Sequence, residues 1–245
     1  PDFSVRDLAL PSGVTANRFA SRKKMRAIID DKFTKLEKTD QLDAMDSFYL
    51  KAYDMISSPK ARAAFEIDKE DTKLRERYGM NAAGQRFLMA RRLVEAGERF
   101  VTLTYGGFDH HSNIETNMNR QLVPFDQAYA TLITDLHERG MLDETLVMVT
   151  TEFGRTPKIN PKGGRDHWPQ VSAALLAGGG FNHGQIIGST NRLGEVPETR
   201  PVHIQEICAT MYRGLGIDTM STTLLDNTGR PQYLLDHREP LKELI

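Results

Sequence analysis

Residues 146–157 read Leu-Val-Met-Val-Thr-Thr-Glu-Phe-Gly-Arg-Thr-Pro. The first six, Leu146 to Thr151, are an unbroken apolar and β-branched run, which predicts a buried strand of the parallel kind. The run stops at Glu152, and a polar turn follows it. Ligands of open α/β sheets bind just beyond the carboxyl ends of the strands, so this stretch suggests both a fold and a place to look for chemistry.

Upstream, Arg99 to Tyr105 (RFVTLTY) predicts another strand, closed by Gly106-Gly107. Between the two, Ile114 to Arg139 carries Phe125, Ala128, Leu132 and Leu136 at helical spacing and stops at Gly140. Pro124 is a point where that helix would kink or divide. Downstream, Ser172 to Ala177 (SAALLA) predicts a third strand before Gly178-Gly179-Gly180, Gln185 to Ser189 a short edge strand, and Val202 to Leu215 a helix stopped by Gly216. The tail from Thr219 is rich in turns, with Leu234 and Leu235 as anchors. Strand, helix, strand, loop, strand, helix implies a parallel or mixed sheet with helices on its faces.

The first 97 residues are helical in pattern. Phe19, Met25, Ile28, Ile29, Phe33 and Leu36 recur at helical spacing after a Thr15 cap, and Asp40 to Ile56 predicts a second helix. Ser58-Pro59 opens a third, Glu70 to Tyr78 predicts a solvated helical turn, and Ala82 to Ala96 a further helix ended by Gly97. We therefore expect one domain over 1–245: a helical part over 1–97, an α/β part bearing the site over 98–218, and a tail over 219–245. Only three or four strands are visible, against roughly 5–6 in an average sheet. The chain also opens Pro1-Asp2-Phe3 without Met, so an incomplete sheet and a start within a longer sequence are expected.

Composition narrows the function classes. With 32 basic and 33 acidic residues among 245, the net charge is −1, which predicts no nucleic-acid footprint. No stretch approaches the ~18 apolar residues of a membrane span. The single cysteine, Cys208, permits neither an internal disulfide nor a thiolate metal site. No GxSxG, P-loop or CxxC occurs, and Gly178 to Gly180 lacks dinucleotide-binding spacing.

Three polar clusters fall at strand ends. Gly106 to Asn113 (GGFDHHSN) follows one strand, Glu152 to Pro157 (EFGRTP) follows the next, and Gly163 to Trp168 (GGRDHW) precedes the third. Carboxylate with imidazole suits zinc, manganese or iron better than calcium, which takes oxygen ligands. Asp109 and His111, two apart on a turn, can face one point, and His167 completes three protein ligands with a position left open. Glu152 serves the same metal or a second one. Arg155 offers a planar fork to a tetrahedral anion such as phosphate or sulfate. His110 either replaces His111 as ligand or hydrogen-bonds substrate, and Asp166 is a carboxylate that could orient His167. Each residue also has an ordinary reading: a loop histidine, a turn-forming Asp109, a capping Glu152, a surface ion pair at Arg155. Trp168 either walls the site or packs in the core, and His137 complements a helix dipole.

These motifs, with Asp135 to Thr145 (DLHERGMLDET), Leu175 to Gly180 (LLAGGG), Arg200-Pro201-Val202 and Gly214 to Asp218 (GLGID), closely resemble the bacterial domain-of-unknown-function family 1501. Members of that family are often regarded as sulfatase-like and placed in the alkaline phosphatase superfamily. The resemblance implies a three-layer α/β/α sandwich, alkaline phosphatase-like, here with an incomplete sheet and extra N-terminal helices. It implies one divalent metal, zinc with manganese or calcium as alternatives, held by Asp109, His111 and His167. A second metal would sit on Glu152, although the superfamily often has an Asp-His pair where this chain has Glu152-Phe153. The superfamily's nucleophile follows an early strand that has no counterpart here. For the full-length protein the implied activity is hydrolysis of a small-molecule or glycan phosphate or sulfate ester, with Arg155 and His110 as catalytic groups; residues 1–245 alone are expected to be incomplete and inactive. The alternative is a non-catalytic metal- or anion-binding surface module of the same fold. Family members often carry an export signal, so a periplasmic or exported location is expected; substrate and oligomeric state stay open.

Overall fold

The computed structural model describes residues 13–34 and 63–245. The helices expected over Asp40 to Ile56 and after Ser58-Pro59 lie outside the described residues. Two compact units emerge, one of residues up to Glu76 together with Leu88–Leu103, the other of Arg77–Phe87 together with Thr104–Ile245.

In the first unit, α1 (Ala16–Thr34) starts where Thr15 Oγ1 accepts the Arg18 N–H at 3.2 Å, the expected cap. Helix α2 (Thr72–Tyr78) is introduced by Asp71, whose side chain accepts the Lys73 N–H at 2.8 Å. Helix α3 (Ala82–Glu95) places Leu88, Met89 and the Arg91 side chain in this unit's interior with Ile67 and Ala64. Buried Arg91 is matched by Glu70 at 2.7 Å and Glu95 at 2.5 Å, as a guanidinium removed from water requires. Residues 99–105 form no ladder with any described strand. Val101, Leu103 and Tyr105 are half-buried while Thr102 and Thr104 are exposed. The exposure alternates as in a strand, but the strand expected at Arg99 to Tyr105 is not formed, because a strand also needs a neighbour to bond.

The second unit is built on α4 (Ile114–Glu138). Its buried face is Ala128, Leu132 and Leu136, as the spacing predicted, and the helix runs through Pro124 undivided. Phe125 meets Phe87, Tyr105, Phe108 and Tyr129, with ring centroids 5.5–6.5 Å apart. This aromatic cluster fixes the segment that leads into Asp109. Tyr78, expected to be solvated, is fully buried and donates to Asp135 Oδ2 at 2.9 Å. Gly140, at φ +68°, ends α4: Met141 N–H reaches Leu136 O at 2.8 Å and Gly140 N–H reaches His137 O at 2.9 Å, a Schellman closure. The same pair of bonds closes α3 at Gly97 and α5 (Ile204–Gly214) at Gly216. His203 caps α5, accepting from Gln205 N–H at 3.2 Å, while Glu206 accepts the His203 N–H at 2.8 Å.

The strands form four two-stranded antiparallel ladders. β1 (Val147–Val149) pairs with β4 (Leu175–Ala177), β2 (Gly154–Arg155) with β3 (His167–Trp168), β5 (Ser189–Thr190) with β6 (Pro197–Thr199), and β7 (Thr223–Leu225) with β8 (Pro231–Tyr233). The parallel reading of Leu146 to Thr151 is therefore corrected: β1 is half-buried and antiparallel to its partner. No helix intervenes between β1 and β4 to carry the chain back, and a parallel pair needs such a crossover. The expected edge strand at 185–189 survives only at Ser189. In the tail, Leu241 and Leu244 are buried, whereas Leu234 and Leu235 are half-buried. Helix and strand are mixed, as expected, but among the described residues the strands form no continuous or closed sheet.

Candidate metal centre

Three loops carry the site. The first, residues 106–113, leaves the aromatic cluster and enters α4 through Asn113, which sits at φ +47°. The second is the β2–β3 hairpin, in which Arg155 and His167 are directly opposite. Opposed residues of an antiparallel pair project to the same face, so one register places both side chains toward one point. The third, residues 160–164, is the turn within that hairpin. It supplies carbonyls to the start of α4: Asn113 N–H reaches Lys162 O at 3.3 Å and Ile114 N–H reaches Gly163 O at 2.9 Å. Arg165 N–H reaches His110 O at 2.9 Å. A Cβ on Gly164 would lie 2.1–2.3 Å from the His111 and Ser112 backbone, so only glycine lets the loops approach this closely.

The side chains converge on one oxygen. Asp109 Oδ1 is 2.9 Å from His167 Nε2, 3.0 Å from His111 Nε2 and 2.6 Å from the Arg155 guanidinium. The hydrogen bonds from His167 and Arg155 push the Asp109 carboxyl down to about 2. Ligand atoms of Asp109, His111 and His167 all lie within 4.8 Å of one another, and the three residues are exposed. On its other nitrogen, His111 Nδ1 is 2.7 Å from Asp166 Oδ1. Phe153 packs on His167, with ring centroids 4.3 Å apart.

This arrangement fits a divalent metal. One carboxylate oxygen and two Nε2 atoms make an O,N,N set with room for an exogenous ligand. Two ligands of a tetrahedral zinc bound at ~2.05 Å are about 3.3 Å apart. The distances of 2.9 and 3.0 Å are a few tenths of an ångström shorter.

Of the residues singled out from sequence, Asp109, His111, His167 and Arg155 are brought together. Glu152 is exposed and is not one of the three residues whose ligand atoms converge. His110 is buried, and its Nε2 has no hydrogen-bond partner. Asp166 hydrogen-bonds His111 rather than His167. Trp168 is half-buried and donates from Nε1 to Glu195 O at 2.7 Å. Asn160 was missed by sequence reasoning. Its Nδ2 contacts both Asp166 oxygens at 3.2 and 3.3 Å and His111 O at 3.1 Å. The signal available was an Asn-Pro step opening a glycine turn.

A family model matches residues 1–245, and its description is "Protein of unknown function (DUF1501)". No curated protein and no solved structure matches the chain.

Proposed function

The chain belongs to the DUF1501 family, and from that membership and the site geometry we propose a metal-dependent hydrolase of phosphate or sulfate esters, sulfatase- or phosphatase-like. The observation that carries the reading is the convergence of His111, His167 and Arg155 on Asp109 Oδ1. Asp109, His111 and His167 would hold a divalent ion, zinc first by its donor set, with manganese or calcium as alternatives. Such an ion supplies positive charge for developing oxyanions and lowers the pKa of bound water. Arg155 would turn its planar fork toward a non-bridging ester oxygen. Phe153, packed on His167, holds that imidazole in place. Glu152 belongs to this proposal as a ligand of a second ion, and the three-layer sandwich as the architecture of the complete sheet. No described helix is long and apolar enough to cross a membrane; export to the periplasm is part of the proposal.

The test uses the full-length protein, loaded with zinc, on p-nitrophenyl phosphate and p-nitrophenyl sulfate, wild type against His167→Ala. Zinc-dependent turnover of either ester that falls at least roughly 100-fold in the variant is expected, since an ion ligand is lost. Equal turnover by both proteins would sink the reading.

A second reading, a non-catalytic metal- or anion-binding module, is favoured by one observation: the Arg155 guanidinium is engaged by Asp109 at 2.6 Å. Stoichiometric zinc binding without turnover of either ester would support it.

A further inference from the structure

The hairpin turn that sets His111 has a chemistry of its own. Asp166 Oδ1 lies 2.7 Å from His111 Nδ1, the ring nitrogen that faces away from Asp109. Asp166 is in turn gripped by the Asn160 amide, whose Nδ2 is 3.2 and 3.3 Å from the two carboxylate oxygens. Asn160 cannot drift: its Oδ1 accepts the N–H groups of Lys162 and Gly164, both at 3.0 Å, and its Nδ2 also donates to His111 O at 3.1 Å. One amide therefore ties the turn to itself, to the Asp166 carboxylate and to the backbone of the histidine.

An imidazole can offer a lone pair to an ion from only one nitrogen, and the hydrogen bond at the other decides which. A carboxylate at Nδ1 keeps the proton there, leaves Nε2 to the ion and raises its basicity. His111 Nε2 is the atom turned toward Asp109 Oδ1. We propose that Asp166, held by Asn160, is a positioning residue that fixes the Nδ1–H tautomer of His111 and thereby sets the affinity of the centre for a divalent cation. His167 shares no such hydrogen bond with Asp166, its sequence neighbour, so the two histidines are unequal: His111 is the one with a carboxylate on its outer nitrogen. The inference rests on the metal-centre reading of Asp109, His111 and His167.

The experiment measures zinc affinity by competition with a chromophoric chelator, and the His111 tautomer by ¹⁵N-detected NMR of the zinc-loaded protein. Wild type should bind one zinc at this centre with His111 protonated at Nδ1. Asp166→Ala should weaken binding roughly 10–100-fold and shift the His111 Nδ1 resonance, with the circular dichroism spectrum unchanged. Asp166→Asn keeps an acceptor without the charge and should restore the Nδ1–H signal and part of the affinity. Asn160→Ala, which leaves the carboxylate but loosens it, should fall between wild type and Asp166→Ala. Zinc bound by wild type, and equally well by Asp166→Ala with the same His111 resonances, would overturn this inference alone. No zinc bound by wild type would overturn it together with the metal-centre reading.

Discussion

The Nε2 atom of His167 lies 2.9 Å from Oδ1 of Asp109, a residue 58 positions earlier in the chain. His111 Nε2 and the Arg155 guanidinium lie against the same oxygen. Asp109 is thus the pivot of the centre. Asp109→Ala should reduce zinc affinity more than roughly 100-fold, beyond what loss of an outer carboxylate causes. For wild type, zinc at 100 times Kd should add about 2.7 kcal/mol of stability, reversed by EDTA. Thermal melts with and without zinc check both. A zinc-induced rise in Tm that persists undiminished in the variant would place the ion elsewhere.

Gly164 makes the approach of two loops possible. An alanine Cβ there would meet backbone, His111 C at 2.1 Å and Ser112 N at 2.3 Å, and backbone does not swing aside as a side-chain tip does. Gly164→Ala should cost about 1–3 kcal/mol by overpacking and weaken zinc binding along with it. Gly106→Ala is the control, because a Cβ there meets nothing within 4 Å; its cost should stay within about 0.5 kcal/mol. Equal stability of the two variants by urea denaturation would contradict the close packing.

Asp135 is buried on α4 between two donors, Tyr78 OH at 2.9 Å and Arg139 Nε at 2.7 Å. Asp135→Ala removes a buried acceptor from Tyr78 and Arg139 and should destabilise by about 2–3 kcal/mol. Tyr78→Phe leaves Asp135 with Arg139 and should cost about 1 kcal/mol. Denaturation midpoints compare the two, and the reverse order would show that the tyrosine depends on something other than this carboxylate.

The C-terminal segment is held by Glu243, which receives Arg200 Nε at 2.6 Å and the other guanidinium arm at 3.0 Å. That bond, with a backbone N–H, pushes the Glu243 carboxyl down to about 2. A folded pKa below the unfolded value, ~4.3 for glutamate, means a contribution fully present above the unfolded value and lost as pH falls through about 2. Protection of the amides of residues 241–245, taken as intrinsic over observed exchange rate, should therefore stay high at pH 5 and fall between pH 4 and pH 2. Arg200→Ala should speed exchange at pH 5 already.

Legibility in the sequence followed the range of the forces involved. Helix α4 and its glycine stop were readable because side-chain spacing and the C-terminal closure are local. The ends at Gly97 and Gly216 were readable for the same reason. The strand at Leu146 to Thr151 was readable as a strand, but its direction was not: an apolar run fits either pairing, and the loop without a helix between β1 and β4 selects antiparallel. Asp109, His111 and His167 stood out because ligand-type residues clustered beside glycines at the ends of strand-like runs. Arg155 stood out for its position three residues beyond a strand end.

What lay beyond the sequence is a matter of register and contact between distant segments. Nothing in the order of residues says that Arg155 and His167 face each other across β2 and β3, that Asp166 serves His111 instead of its neighbour His167, or that Asn160 grips Asp166. Adjacent residues in extended chain point to opposite sides, so proximity in sequence misleads where a hairpin decides proximity in space. The chemistry available at this centre, carboxylate, imidazole and guanidinium, was written in residue types. The convergence of His111, His167 and Arg155 on a single oxygen of Asp109 came from folding, because only a closed hairpin packed against the start of α4 brings those groups together.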